Sequence, residues 1–153
     1  MTPLPFDIDI SAQTEDWPDC DLLARKAITS VWNVLTVPRA GELSIALSND
    51  EQVRALNRDY RHIDKSTNVL SFRVAEPAPL LGDIVLALET VQREAKEKSI
   101  SFEDHLTHLL IHGFLHLQGY NHENKDEAET MEALEIRALA ALMIDNPYKT
   151  DEF

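Results

Sequence analysis

The chain lacks the means for several kinds of protein. It has one cysteine, Cys20, in 153 residues, so no disulfide can form within it and a reducing compartment is the simpler setting. It has no apolar run of the ~18 residues that a membrane-spanning helix needs. The start, MTPLPFDIDI, has no positive region and carries Asp7 and Asp9 where a secretion signal would be apolar, so a cytoplasmic protein is expected. There is no internal repeat or low-complexity tract, and the Gly and Pro punctuation marks no second domain. Positive charge is scarce. Fourteen Lys and Arg stand against 27 Asp and Glu, a net −13, which opposes non-specific binding to nucleic acid and anionic lipid.

What is present describes a globule. A 44% apolar and 27% charged composition suits a folded domain, and at this length about 68–70% of the unfolded surface can be buried. One domain over 1–153 is expected. Charge is uneven: residues 51–74 hold five bases and three acids, whereas residues 102–153 hold three bases and eleven acids. A polyanion would be received by the middle of the chain.

Periodicity gives the elements. Phe6, Ile8 and Ile10 alternate with Asp7 and Asp9 as in a half-buried strand. Asp19 or Asp21 is positioned to cap a helix reaching Leu35, with Leu23, Ala27, Val31 and Leu35 in its apolar stripe. LSIALS (43–48) reads as a second strand, and Ser48 with Glu51 fits a capping box. The helix it opens would bury Val53, Leu56 and Tyr60. Thr67–Val74 and Gly82–Leu88 read as strands separated by a loop at Pro77 and Pro79. Helices are expected over 89–98, from Ser101 to near Gly119, and over 127–143, the last with Met131, Leu134, Ala138 and Leu142 at core spacing. The order β-α-β-α-β-β-α-α-α predicts an α+β fold: a small four-stranded mixed sheet packed against helices, one of them bearing histidines.

That helix carries the chemistry. Five of six histidines fall between residues 105 and 122. His112 and His116 are one turn apart, with Cβ atoms about 5–6 Å from each other, close enough to share a metal. His108 to His116 spans about 12 Å of helical rise, too far for three ligands at Zn–N distances of about 2.0–2.1 Å. Gly119 can take positive φ, end the helix and return His122 toward the other two. Alone, His105 and His108 read as core histidines, His108 with an option to orient a ligand. The frame H-x3-H-x2-G-x2-H is that of metzincin proteases, but Gly113 stands where those enzymes place a glutamate base. Three neutral imidazoles with a fourth position open suit a catalytic zinc, one per chain.

Three segments, LNRDYRHIDKSTNVLSF (Leu56–Phe72), LLGDIVLA (Leu80–Ala87) and HLLIHGFLHLQGYNH (His108–His122), resemble the YbeY family of metal-dependent endoribonucleases. The resemblance implies an α+β fold, a bound zinc and cleavage of single-stranded RNA. It also implies work on the ribosome: 3′-end processing of small-subunit rRNA and ribosome quality control, with no membrane or DNA partner. By position it makes His112, His116 and His122 the metal triad and Arg61 the functional arginine, whose guanidinium can fork onto phosphate oxygens. Lys65, Arg73 and His62 are further candidates to face the RNA, weighed against ordinary surface charge, whereas Asn68 and Ser71 read as turn and strand residues. The family commonly has Asp before the third histidine; this chain has Asn121. Two other functions compete: a metallopeptidase, suggested by the ligand frame and opposed by Gly113, and a non-catalytic ribosome-associated factor with structural zinc.

Overall fold

In the computed structural model, which describes residues 2–74 and 80–149, the order of elements is the one the periodicity predicts. The strands are β1 (Ile8–Ala12), β2 (Glu42–Ser48), β3 (Val69–Arg73) and β4 (Leu80–Ala87). The helices are α1 (Asp21–Val34), α2 (Asp50–Arg61), α3 (Leu88–Glu97), α4 (Phe102–Leu117) and α5 (Lys125–Ala141). The loop expected at Pro77 and Pro79 lies outside the described residues. Among the described residues no helix is long and apolar enough to cross a membrane.

The four strands run β1-β2-β4-β3, with β1, β2 and β4 parallel and β3 antiparallel to β4. Successive side chains alternate between faces, so register fixes what each face carries. Ile45 pairs with Ile84 and Leu47 with Leu86, all buried in the main core with residues of α1 and α4. Across β4, Val69 pairs with Leu86, Ser71 with Ile84 and Arg73 with Gly82. Val69, Ser71 and Arg73 therefore share the face that α4 covers. The opposite face carries Leu70, Val85 and Ala46, closed over by Val53 and Leu56 of α2.

Helix α4 is the centre of the fold, packed against α1, α3, α5 and the sheet. Leu106, Leu110, Ile111, Phe114, Leu115 and Leu117 are all completely buried. At about 1.5–3 kcal/mol for each such side chain, this anchoring outweighs about 1–3 kcal/mol for each of the two unpartnered ring nitrogens the helix also buries, His105 Nδ1 and His108 Nδ1. The histidines thus stand on a fixed platform.

Details differ from expectation where a neighbour changes a side chain's work. Ser48 is the last residue of β2, with its carbonyl taken by Trp17 Nε1 at 2.8 Å, so Asn49 caps α2 instead, accepting from the Gln52 amide at 2.8 Å. Tyr60 is 70% exposed and rests edge-on against Phe72 rather than entering the core. Cys20 occupies the cap position of α1 without a side-chain cap bond; Asp19 instead accepts from the Asp21 amide at 3.1 Å. Ser101 caps α4 as its position suggests, accepting from the Asp104 amide at 3.0 Å. Asn124 caps α5, which starts two residues before the expected Glu127. In its stripe Leu139 is fully buried, while Leu142 lies past the helix end and is half-buried.

Candidate metal centre

The last turn of α4 closes in a Schellman motif. The Gly119 amide donates to the His116 carbonyl and the Tyr120 amide to the Leu115 carbonyl, each at 3.0 Å. Gly119 has φ +97°, as that motif requires, and a Cβ there would also lie 3.3 Å from Arg73 Nη1. The positive φ favours glycine at the bend, and its bare Cα lets the end of the Arg73 side chain lie close over it.

The bend brings the expected triad together. Ligand atoms of His112, His116 and His122 all lie within 4.8 Å of one another, and the Nε2 atoms of His112 and His116 are 3.0 Å apart. Hydrogen bonds fix which nitrogens carry protons. His116 Nδ1 meets the Tyr120 carbonyl at 3.0 Å, and His112 Nδ1 meets Glu135 Oε2 at 2.9 Å. Both partners only accept, so both Nδ1 atoms carry the hydrogen. In the neutral rings, two Nε2 lone pairs are then left facing each other. This is repulsive unless a cation lies between them, and it is the arrangement in which metal-binding imidazoles are held. Burial, followed by the neighbouring His112 and His122, lowers His116 to about 4, so it is neutral and free to ligate near neutral pH. His122 is exposed. The three residues fit one divalent ion, with imidazole donors suited to zinc.

Glu135, from the middle of α5, is the functional group that sequence reasoning missed. Its Oε1 accepts from His108 Nε2 and from the Tyr148 hydroxyl, each at 2.5 Å, while Oε2 takes His112. Burial pushes this carboxyl up, but the three hydrogen bonds outweigh it and hold Glu135 at about 2, fully ionised. Burial and the adjacent Glu135 raise Tyr148, which stays a hydroxyl donor. His108 therefore acts on the site indirectly, by steadying the carboxylate that orients His112. A signal was available: Glu135 follows Met131 by one turn and precedes Ala138 and Leu139, so it lies in the apolar stripe of α5.

In front of the triad is a cleft of ≈ 600 Å³. Arg61, the last residue of α2, and Arg73, the last of β3, line it with His112, His116 and His122. Among the described residues no carboxylate pairs with either arginine. Asn68, Ser71 and Asn121 also line the cleft. Strand parity explains Ser71, which shares the α4 face with Arg73. Asn68 is further held by a bond from its Nδ2 to Glu94 at 2.9 Å. Lys65 and His62 are not brought in: Lys65 is exposed on the loop after α2, and His62 ends that helix in a left-handed turn at φ 62°. Gly113 packs on the sheet, where a Cβ would lie 3.1 Å from Ile84. A protease-type glutamate there would have to displace the Ile84 side chain.

The chain is similar to known proteins along most of its length. The family model described as Endoribonuclease YbeY matches residues 7–143. Endoribonuclease YbeY of Agrobacterium fabrum is 47% identical, with the alignment covering 96% of this chain and 97% of that one. The Rhizobium meliloti protein of the same name is 46% identical, over 97% of this chain and 96% of its own. A solution structure of a Thermotoga maritima protein superposes with a TM-score of 0.58 at 24% identity, covering 95% of this chain and 97% of that one, and shares the fold.

Proposed function

Because the chain belongs to the YbeY endoribonuclease family, we propose that it is a zinc-dependent endoribonuclease that cuts single-stranded RNA. We place its work in rRNA maturation, at the 3′ end of the small-subunit rRNA, and in ribosome quality control in the cytoplasm. The observation that carries the reading is the convergence of three imidazoles beside a cleft whose two arginines meet no carboxylate among the described residues.

Each residue has a physical task. His112, His116 and His122 would hold the zinc, with Glu135 and the Tyr120 carbonyl keeping two of the rings in the metal-ready tautomer. Bound zinc supplies a Lewis acid able to bring the pKa of water to about 7. Arg61 forks onto the oxygens of the scissile phosphate and offsets the charge that grows there as the bond to phosphorus forms, whether the attacking oxygen is water or the substrate's own 2′-hydroxyl. Arg73, which lines the same cleft, holds the same or the adjoining phosphate. The net charge of −13 makes unaided capture of RNA weak, so the ribosome is the partner that presents the strand.

The test is metal analysis coupled to cleavage of a single-stranded RNA. Wild type should carry about one zinc and cut. His116→Ala should lose metal and cleavage together, and Arg61→Ala should keep the metal and lose about 10²–10³-fold in rate. Stoichiometric metal in His116→Ala, or undiminished cleavage by Arg61→Ala, would overturn the assignment.

A further inference from the structure

A second cavity, of ≈ 360 Å³, adjoins the triad. His112 and His122 line this chamber as well as the arginine cleft; Ala128, Met131, Glu132 and Glu135 of α5 and Tyr148 complete it. We propose that the chamber receives one nucleobase of the RNA, stacked on Tyr148 and read by Glu132, with guanine preferred. The inference rests on the endoribonuclease reading and gives it a specificity determinant.

Charge separates the two cavities. The cleft offers two guanidinium groups against one carboxylate, Glu123, whereas the chamber is lined by two carboxylates and, among the described residues, by no Lys or Arg. A phosphate is repelled from it, while the uncharged, donor-bearing end of a nucleotide is not. Because the same two histidines form a wall of both, a strand whose phosphate lies between Arg61 and Arg73 has a neighbouring base within reach of the chamber. The volume is at the small end of ligand pockets, room for a base rather than for a run of chain.

Tyr148 is built as a platform. Its hydroxyl is bound to Glu135 at 2.5 Å and its ring meets His108 edge-on, 5.6 Å between centroids, yet the residue is 40% exposed. A ring so fixed has lost its freedom before a ligand arrives, and stacking on it takes any base without a further ordering cost. Met131 adds a polarizable wall. Selection then falls to Glu132. Glu135 is fully used by its three donors, but Glu132, half-buried on the same helix, has no hydrogen bond or ion pair among the described residues. A free carboxylate only accepts. Guanine presents N1–H and the N2 amino group side by side and can satisfy both oxygens. Uracil sets one imino group between two carbonyls, which the carboxylate repels.

Binding and cleavage test this separately. Guanosine and uridine, nucleosides without phosphate, are titrated into the zinc-loaded protein while NMR follows the Tyr148 ring and the Met131 methyl. Guanosine should shift both and bind about tenfold tighter than uridine, the scale of one good bidentate contact. Glu132→Gln should bring the two within about twofold. In RNAs differing only at the base next to the cut, kcat/KM should fall in the order guanine, hypoxanthine, uracil, and Glu132→Gln should flatten that order; the ratio cancels any general loss in the variant. Equal binding of the two nucleosides, or shifts confined to the arginine cleft, would overturn the proposal. RNA cleavage indifferent to that base would overturn it while leaving the endoribonuclease reading intact. Guanosine held at Tyr148 by a protein that cuts no RNA would instead overturn the enzymatic reading.

Discussion

Helix α4 carries four imidazoles down one side, and its two halves use them in opposite ways. In the first half, His105 and His108 are 1% and 8% exposed; each gives its Nε2 hydrogen to a carboxylate, Glu94 at 2.9 Å or Glu135 at 2.5 Å, and each is left with a buried Nδ1 that meets no partner. In the second half, His112 and His116 give the Nδ1 hydrogen instead, to Glu135 and to the Tyr120 carbonyl, and turn bare Nε2 atoms toward each other. The residue type and the helix are the same. What separates packing from ligation is which ring nitrogen the neighbour claims.

The contrast is broken most severely at its second half. His112→Ala removes one of three ligands, so the protein should emerge from dialysis without stoichiometric zinc and with RNA cleavage at background; metal analysis beside a cleavage assay checks both. Full zinc content would mean that the pair of facing Nε2 atoms is not the site. A smaller effect is expected one layer back. Glu135→Gln keeps the shape but replaces one acceptor oxygen by a donor, so either His112 or both His108 and Tyr148 lose their partner. Zinc affinity should drop about 10–100-fold, as found for groups that orient metal-bound histidines. Competition against a chromogenic chelator measures it, and unchanged affinity would show that the carboxylate does not set the His112 tautomer.

These two residues also mark how far the sequence could be read. The triad was legible because its parts obey local rules: i,i+4 spacing, and a glycine free to take φ +97°. The order of elements followed from periodicity for the same reason. Glu135 lies 19 residues beyond His116 in another helix, and its role exists only once α5 lies against α4. Local rules mark an acid in an apolar stripe as odd but do not say which histidine it answers. Ser71 and Arg73 show a related gap. Alternation groups them on one face of β3, and only the pairing with β4 decides that this is the face α4 covers. The cap at Asn49 was displaced because Ser48 is held by the strand ladder, a tertiary constraint that its tetrapeptide does not reveal.

A change at His105, in the first half, should affect folding and spare the metal. His105→Leu strips Glu94 of its buried donor, though Asn68 still holds that carboxylate. A loss of about 1–3 kcal/mol in urea unfolding is expected, the cost of an unmade buried hydrogen bond, with zinc stoichiometry unchanged. Loss of zinc in this variant would place His105 in the site after all.

The finest test of the contrast is the pH dependence of that stability difference. Burial, opposed in part by the bond to Glu94, lowers His105 below its usual 6.5. Just under pH 6.5 the unfolded chain takes up a proton at this residue that the folded protein does not, so acidification favours unfolding. The leucine variant has no such proton to gain, and its metal-site histidines are those of wild type, so their titration cancels in the comparison. The stability gap between the two proteins should therefore narrow as the pH falls from 7 to 5. In wild type Glu94 stays ionised in this window, because burial pushes its carboxyl up but the bonds from His105 and Asn68 prevail and hold it below 4.5; in the variant, without His105, burial is less opposed, and any proton the folded variant then takes up at Glu94 narrows the gap in the same direction. A gap that widens toward pH 5 would mean that His105 is charged in the folded protein, an ion pair with Glu94 rather than a neutral packed ring.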